Sequence, residues 1–582
     1  MKHKMKIRYI SALAACTLLF SGCESLDYLP GDQMSGQTFW QTEDHARQAA
    51  VGMYAAMKAN WCFGMEFTFD MCSDLADGTT PWADISRGTS FASNSGGVQN
   101  HWQYLYELVH RANTVIRNVD GMPISQQTID RVTGEAKFLR AMAYFRMLNC
   151  WGGVPYYDES CDINEQFASL NAPRSSEEEI RRHIIDDLTE AIDKLPVSWD
   201  AADLGRATKG AAYALRGKVY LFNREWDKAV ADFEEIVYNK SNNYGYSLHP
   251  DYNELFRLYN GNHSPEMIFS IQSIDGNTAG YAIDIVSYFG NKSTMRLIAG
   301  NCIVPSTTLV DMYENIDGSP FDWDQLFPGF NNGDSQLRRK YMSVAIDQGS
   351  TVVTSTLDCD TTKVMDAYRL RDPRLCLNVI TPYSHYLGTD AGSNPMDKQF
   401  VLADPSQGGA PMEAMAFIRN SEGWNSYFWR KWIPTGNLDG YWGEYNRTPY
   451  EFPLIRLGDV ILMLAEAYNE SGATDKAVAE VNKIRSRAGM PGLNSGASWL
   501  SVGGKEEMAV RIQRERAFEL AGEGQRYWDL RRWGLLEESV KNATDIFGDL
   551  MYTRSYQSRH ELWPIPLVEM ERNLNLTQNE GW

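Results

Sequence analysis

The stretch YALRGKVYLFNREWDKAVADF, residues 213–233, has the residue spacing of two short helices packed side by side. Gly217 and Ala229 are small residues at points where two antiparallel helices would approach closely. The space around them would be filled by the aromatic residues Tyr213, Tyr220 and Phe233. The stretch therefore predicts an antiparallel helix pair as a building unit of the fold.

The offsets of these residues are those of a tetratricopeptide repeat, in which helix pairs stack into an array. Arg216 stands where the repeat carries Leu, which is a departure from the pattern. The pattern recurs far downstream at Ile461, Leu464, Ala465, Tyr468, Ala477 and Val481. Two distant matches predict a helix-pair scaffold interrupted by a long insertion; the alternative is a coincidence among amphipathic helices.

Helical patterning dominates both ends of the chain. Periodic or capped segments predict helices over residues 44–59, 101–119, 135–149 and 176–195. The middle is instead rich in Gly, Asn, Asp, Tyr and Trp, and it predicts loops, small helices and a few short strands.

The predicted fold class is mostly α, with a tetratricopeptide-like helix-pair scaffold and a large irregular, loop-rich insertion that holds few short strands. We place the scaffold at about 37–240 and 450–582 and the insertion at about 241–449. Loops held on a rigid frame commonly carry function, so we expect the ligand site in the insertion.

The composition is that of a large, acidic, aromatic-rich globular protein. Hydrophobic residues make up 43% of the 582 residues, which is too much for a disordered chain. The formal net charge of −20 argues against nucleic-acid binding, because phosphate contacts need clustered Lys and Arg. Aromatic residues reach 12%, with 17 Trp, and such rings favour half-exposed surfaces where they can meet a ligand.

The first residues resemble a targeting segment. Four basic residues precede an apolar run over 10–20 that is too short to span a bilayer, and Phe20-Ser-Gly-Cys23 resembles a bacterial lipobox. We expect 1–22 to be a lipoprotein signal peptide, Cys23 to be acylated, 23–36 to be a tether and 37–582 to be the folded domain. The alternative is an ordinary secretory signal with an incidental cysteine. Removing 1–22 takes the net charge to −24.

Seven cysteines follow the lipobox, and the odd number leaves at least one free thiol. Cys62 with Cys72, and Cys150 with Cys161, could pair in an oxidising compartment, or all could be small buried hydrophobic residues.

The sequence holds none of the short motifs that mark common enzymes, such as HExxH, GxSxG, a Walker loop or GxGxxG. Asp70, Asp74 and Asp77 form the densest acidic group, which we interpret as a solvated or ligand-binding face rather than a catalytic pair. No zinc spacing or calcium loop is present in the sequence. We therefore predict no catalytic residues, no metal and no cofactor, with calcium left open.

The segment from Glu515 to Trp533 alternates charges with aromatic residues at helical spacing. It fits either a binding site or an internal ion-pair network between helices. We favour the network, because Arg–carboxylate pairs covered by aromatic rings are common between packed helices.

Several motifs together resemble the SusD/RagB family, in the right order from the first residues to the last. They are the lipobox with Cys23-Glu-Ser-Leu-Asp27, Glu135-Ala-Lys-Phe-Leu-Arg140, Trp151-Gly-Gly-Val-Pro155, Arg371-Asp-Pro-Arg374, the segment Pro453–Ala467, Asn482-Lys-Ile-Arg485, Glu523-Gly-Gln-Arg526, Trp563-Pro-Ile-Pro566 and Gln578-Asn-Glu-Gly-Trp582. The family usually ends Gln-Asn-Pro-Gly-Tyr, so Glu580 and Trp582 are mild departures.

The resemblance implies a nutrient-binding lipoprotein of the outer membrane that faces the cell surface and serves a TonB-dependent transporter of the SusC type. It also implies a binder without catalytic residues, with glycans as the usual ligands and peptides in some members. We therefore expect a glycan-binding import lipoprotein. The alternatives are a peptide- or protein-binding member of the family and, less favoured, a surface glycosidase.

Sugar rings stack on flat aromatic side chains while Asp, Asn and Arg bond their hydroxyls. The candidate ligand-binding residues are Trp323 and Trp82, then Asp70, Asp74, Asp77, Arg87, Tyr281, Tyr288, Arg371 and Tyr386. Trp323 leads, because it lies between two aspartates in a polar loop where a core Trp would be unusual. For each aromatic residue the alternative is core packing or loop support.

Overall fold

The structure, a computed structural model, describes most of the chain from residue 39 onward. The described residues are 39–93, 95–162, 166, 170–257, 263–273, 283–290, 302–346, 353–355, 359–389, 394–402, 417–418, 425–435 and 450–582. The predicted signal segment, Cys23, the tether and the candidate Tyr281 therefore lie outside the described residues.

The helices of the described part come mostly from the two ends of the chain. In chain order they are α1 (Glu43–Lys58), α2 (Ala83–Arg87), α3 (Gly96–Val119), α4 (Gln126–Trp151), α5 (Glu177–Lys194), α6 (Lys209–Phe222), α7 (Trp226–Val237), α8 (Tyr252–Leu255), α9 (Ile285–Phe289), α10 (Thr307–Met312), α11 (Ser335–Met342), α12 (Thr361–Arg369), α13 (Pro373–Asn378), α14 (Leu457–Glu470), α15 (Thr474–Arg487), α16 (Lys505–Leu520), α17 (Arg526–Trp533), α18 (Leu536–Ser539) and α19 (Leu567–Arg572).

The long helices pack on their neighbours in the chain and form one array. α3 packs on α4, α4 on α5, α5 on α6 and α6 on α7, and the same order continues from α14 to α15 and α16. The mostly-α fold class and the helix-pair scaffold are thereby confirmed. The observed α4 begins well before the predicted start at Glu135, because the side chain of Ser125 caps it by accepting from the Thr128 amide.

The first repeat-like pair packs as its sequence predicts. Phe233 and Ala229 on α7 are fully buried, and a Cβ added to Gly217 on α6 would lie 2.6 Å from the Phe233 ring. A side chain at 217 would therefore push the two helices apart. The small residue is required by this close approach.

The two distant repeat-like segments are neighbours in space. α7 packs directly on α14, and the Tyr468 hydroxyl of the second segment donates to the Glu234 carboxylate of the first. The array therefore continues across the insertion, which leaves it after α7 and returns just before α14.

The strands are short and pair in twos and threes. They are β1 (Ala76–Gly78), β2 (Met267–Ile271), β3 (Ile303–Pro305), β4 (Ala345–Ile346), β5 (Val353–Ser355), β6 (Val379–Ile380), β7 (His385–Thr389), β8 (Pro395–Phe400), β9 (Phe417–Ile418), β10 (Phe428–Trp429), β11 (Phe452–Arg456), β12 (Ala543–Thr544) and β13 (Leu550–Tyr552). β2 pairs antiparallel with β11, which ties the start of the insertion to its return. β1 pairs antiparallel with β3 and joins the N-terminal loops to the insertion.

Candidate functional site

The insertion forms an open cleft of about 430 Å³ between the 315–326 loop and helix α12. We call it the insertion cleft. Its lining combines apolar and polar side chains: Asn315, Phe321, Asp322, Gln325, Leu326, Asp360, Thr362, Lys363, Asp366, Ala367 and Leu370. An apolar floor with a few convergent polar groups is the usual make-up of a small-molecule site.

The carboxylates of the cleft are held in place by local hydrogen bonds. Asp360 caps α12 by accepting from the Lys363 amide at 3.1 Å, and Asp366 accepts from Arg369 at 2.7 Å. Asp322 accepts from the Asp324 amide at 3.0 Å and from the Asn331 side chain at 2.8 Å. A carboxylate can accept about four hydrogen bonds, so each retains capacity for a ligand hydroxyl.

Phe321 supplies the aromatic surface of the cleft. Its ring is half-buried and packs edge-on against Trp323, and the Arg371 guanidinium lies 3.7 Å from its centroid. Arg371 is itself anchored by donating to the Tyr313 carbonyl at 2.6 Å. The ring therefore has a rigid backing, which suits a stacking surface.

Trp323, the leading candidate, anchors this loop from the inside. It is only 5% exposed, its ring stacks on Phe330 at 4.7 Å, and its indole N–H donates to Asp311 at 2.7 Å. The prediction that it lies exposed is wrong, because aromatic residues distant in sequence, such as Tyr368, enclose it. Its neighbours Phe321 and Asp322 line the cleft in its place.

Trp82 is also buried, against the prediction. It is 1% exposed, stacks on Phe69 at 4.9 Å and donates its indole N–H to the Thr68 hydroxyl at 2.8 Å. It presents no face to a ligand, because the helical array and the 66–72 segment surround it. The half-buried ring beside it is Trp61, which meets Trp82 edge-on at 5.4 Å.

The three candidate aspartates are buried and joined to the C-terminal part of the chain. Asp70 accepts from the Gly522 amide at 2.7 Å, and burial raises its pKa to about 7. Asp74 forms a two-pronged pair with Arg526, with both N–O distances 2.9 Å. The prediction of a solvated or ligand-binding face is therefore wrong for these two.

Asp77 is held in the same way, and burial raises its pKa. It accepts from Arg554 at 2.9 Å and from the Tyr552 hydroxyl at 3.3 Å. Arg87 reaches the same place, with its guanidinium 4.5 Å from the Tyr552 ring. The structure therefore brings Asp77 and Arg87 together, but around Tyr552 rather than around a cleft. Asp77 is buried, whereas Arg87 is partly exposed.

The remaining candidates do not join one site. Arg371 and Tyr386 are each 1% exposed, and the Tyr386 hydroxyl donates to the Pro434 carbonyl, so both support the insertion from within. Tyr288 is half-buried, with its hydroxyl 3.4 Å from the Met65 sulfur. Arg371 alone touches the cleft, through Phe321.

The charged C-terminal segment belongs to an internal ion-pair network, which confirms the interpretation favoured from the sequence. Arg456 donates to Glu519, Glu266 and Glu523, each at 2.7 Å, and all four side chains are buried. Burial alone would raise the pKa of Glu519, but Arg487, Arg456 and Arg374 hold it at about 2. We call this group the buried charge network.

The described residues show three further features that bear on function. Cys62, Cys72, Cys150 and Cys161 form no disulfide with one another, and the buried thiols of Cys62, Cys72 and Cys150 have raised pKa values because of desolvation. Within these residues no group of three His, Cys, Asp or Glu side chains is placed to hold a metal ion. In the same part of the chain no helix is both long enough and apolar enough to cross a bilayer.

Sequence reasoning missed most of the residues that line the cleft. Phe321 and Asp322 directly precede Trp323 in its polar loop, so the sequence indicated the loop but not the ring that lines the cleft. Asp360 carried a weaker signal, since an Asp before a helical segment is a common N-cap, whereas Asp366 lies inside α12 and carried none. Leu370 and Gln325 had no signal in the sequence.

Comparison with known proteins assigns the chain to a family. Residues 265–582 match the model of the SusD family, and residues 26–221 match a model described as "Starch-binding associating with outer membrane".

Individual relatives align with this chain over nearly its whole length. SusD-like protein P25 of Formosa agariphila is 26% identical over 100% of this chain and 99% of its own. The starch-binding protein SusD of Bacteroides thetaiotaomicron is 24% identical over 99% of this chain and 100% of its own. A crystal structure of a SusD-like protein from Bacteroides fragilis has the same fold, with a TM-score of 0.72 at 24% identity over 95% of this chain and 100% of that one. Because the first family model covers more than half of the chain, this protein belongs to the SusD family.

Proposed function

We propose that this protein is a lipid-anchored, surface-facing lipoprotein of the outer membrane that binds an oligo- or polysaccharide and delivers it to a SusC-like TonB-dependent transporter. The observation that carries the proposal is the insertion cleft in a member of the SusD family. Support comes from the relative named as starch-binding and from the family description that mentions the outer membrane.

The cleft has the two kinds of surface that a sugar needs. Phe321, Leu326 and Leu370 offer apolar contact for the C–H faces of sugar rings. Asp322, Asp360 and Asp366 can accept hydrogen bonds from hydroxyl groups, and Gln325 can both donate and accept. Asn315 can accept through its side-chain oxygen, because its amide nitrogen already donates to Ser319 and Pro320. We assign this lining a binding role and no catalytic one.

Calorimetry with a panel of soluble polysaccharides tests the ligand class. The protein is produced from Glu24 onward, so that the signal segment and the acylated cysteine are absent. We expect binding to at least one polysaccharide, weakened about fivefold in Phe321→Ala because a stacking contact contributes about 1 kcal/mol. The matched control is Leu574→Ala, since Leu574 is 88% exposed and lies outside the cleft lining.

Three other results would change the proposal. Binding to no polysaccharide, together with a co-purified peptide, would favour a peptide importer. Release of reducing ends by the purified protein would indicate a glycosidase. Unchanged polysaccharide binding by Phe321→Ala would agree with the proposed ligand class but would exclude the insertion cleft as the binding site.

Anchoring and transport have their own measurement. We expect the full chain to fractionate with the outer membrane and to be released by Cys23→Ser, because acyl chains supply the anchor. Co-purification with a SusC-like transporter is the expected partner result. A Cys23→Ser protein that stays in the membrane fraction would contradict the lipid anchor.

A further inference from the structure

An exposed apolar strip continues the insertion cleft onto the helical array. Three large apolar side chains lie along it: Leu370 is 56% exposed, Ile316 is 46% exposed and Trp499 is 41% exposed. Leu370 belongs to the cleft lining, whereas Trp499 comes from the loop between α15 and α16. We call these three residues the apolar strip.

Direct hydrogen bonds fix the order of the strip. The Ile316 amide donates to the Leu370 carbonyl at 3.0 Å, so these two residues are neighbours. The Trp499 indole N–H donates to the carbonyl of Asp317 at 3.1 Å, which places the indole beside the next residue of the same loop. The strip therefore runs from the cleft through Leu370 and Ile316 to Trp499.

The indole of Trp499 is held firmly although it is exposed. Arg511 on α16 donates to the Trp499 carbonyl, and the neighbouring Leu500 is buried against Gly318. A ring fixed through its N–H edge and its backbone loses little freedom on binding, which lowers the entropic cost of stacking.

Several backbone groups around the strip are already paired within the protein and are not available to an extended peptide. The Asn315 amide donates to the Ser319 carbonyl at 2.9 Å, and the Gly318 amide donates to the Asn315 carbonyl at 2.8 Å. The Ser319 amide donates to the Asp317 carboxylate at 2.9 Å. Peptide addition to a strand needs free main-chain groups, whereas a sugar chain needs ring faces and side-chain acceptors.

Acceptors of that kind flank the strip. Asp317 follows Ile316 in the chain, and Asp366 lines the cleft together with Leu370, so two of the apolar residues have a carboxylate nearby. The pKa of Asp317 is lowered by hydrogen bonds from the Ser319 hydroxyl and amide, so this carboxylate is ionised at neutral pH. A polysaccharide presents C–H faces and hydroxyl groups in alternation. Its C–H faces can contact the separate apolar side chains, and its hydroxyl groups can donate to the carboxylates near them.

We propose that Trp499 is a second stacking platform, which makes this protein select long polysaccharide chains that run from the insertion cleft across Leu370 and Ile316. This inference rests on the proposed glycan function and adds a chain-length preference to it. Short oligosaccharides occupy only the cleft and do not reach Trp499. Longer chains gain the additional contact.

The test compares two lengths of one glycan. The polysaccharide that binds in a calorimetric panel of amylopectin, laminarin, xylan and arabinogalactan is measured beside its own trisaccharide. We expect Trp499→Ala to weaken binding of the polysaccharide about tenfold and to leave the trisaccharide unchanged. Phe321→Ala weakens both, Trp499→Phe keeps most of the long-chain affinity, and the exposed Leu550→Ala is the matched control.

Each other outcome is decisive. Equal binding of the polysaccharide by Trp499→Ala and the original protein overturns the inference and leaves the glycan function standing. Equal losses for both lengths overturn it as well, because Trp499 would then act on the cleft itself. Loss of transporter co-purification with unchanged glycan binding would assign the strip to a protein partner. Binding of no glycan in the panel overturns both proposals.

Discussion

The buried charge network and the insertion cleft are built from the same kinds of residue and do opposite things. In the network, the Glu519 carboxylate lies among guanidiniums with no exposed surface, and its pKa falls to about 2. In the cleft, Asp360 caps the start of α12 and Asp366 pairs with the exposed Arg369. Both residues still line an open volume. Burial, rather than residue type, separates the structural acids from the acids that remain available to a ligand.

The largest expected effect comes from the network. Glu519→Gln removes the negative charge that Arg456, Arg487 and Arg374 share, and breaking a buried pair typically costs about 3–5 kcal/mol. We expect a loss of that order in the free energy of unfolding, measured by chemical denaturation. Glu507→Gln on the exposed face of α16 is the control, and a loss below about 1 kcal/mol would contradict the structural importance of the network.

Acid should weaken the same network. The folded-state pKa of Glu519, about 2, lies below the unfolded value of 4.5, so its stabilisation is present above about pH 4.5 and is lost as the pH falls towards 2. The loss amounts to roughly 3 kcal/mol, measured as the unfolding free energy against pH.

The control for this pH profile is the Glu519→Gln variant, which should show a shallower fall below pH 4.5. Asp70 acts in the opposite direction, because its raised pKa of about 7 makes stability fall as the pH rises from about 4 to 7. Identical acid profiles for the variant and the original protein would exclude Glu519 as the source.

A smaller loss of stability is expected at the buried ring of Trp82. Trp82→Phe leaves a gap and removes the hydrogen bond to Thr68, for a cost of about 1–2 kcal/mol in unfolding free energy. Glycan affinity by calorimetry should not change, because the ring is enclosed. A tenfold loss of glycan affinity without a change in stability would indicate that Trp82 contacts the ligand after all.

The smallest expected effect on stability lies in the cleft. Asp366→Asn breaks only an exposed pair with Arg369, so the unfolding free energy should move by less than about 0.5 kcal/mol. Affinity for the bound glycan should fall several-fold, since a hydrogen bond to a charged acceptor is weakened. Thermal unfolding and calorimetry on the same sample separate the two effects. A large loss of stability would place Asp366 with the structural acids.

The helical half was predictable because its signals are local. Gly217 and Phe233 contact each other within one helix pair, and Ser176 caps α5 by accepting from the Glu179 amide three residues away. Repeat spacing and capping can be recognised from neighbouring residues alone. The continuation of the array after the insertion followed from the same pattern.

The site was less predictable because its contacts join distant parts of the chain. Asp74 looked like a loop acid, yet its partner Arg526 is 452 residues away. Trp323 looked exposed between two aspartates, yet Phe330 and Tyr368 enclose it. A polar neighbourhood in sequence indicates a loop, but it does not say which side chain of the loop faces inward.

The return of the chain to the array after the insertion has a consequence for chain entropy. Roughly 220 residues separate α7 from α14, yet the two helices pack as neighbours. Loop-closure entropy grows only with the logarithm of length, so each doubling of the connection costs about 0.6 kcal/mol. The loops of the insertion can therefore lengthen or shorten at a small cost in chain entropy while the array keeps its helix contacts. The segment that carries the cleft can in this sense vary in length without changing the array.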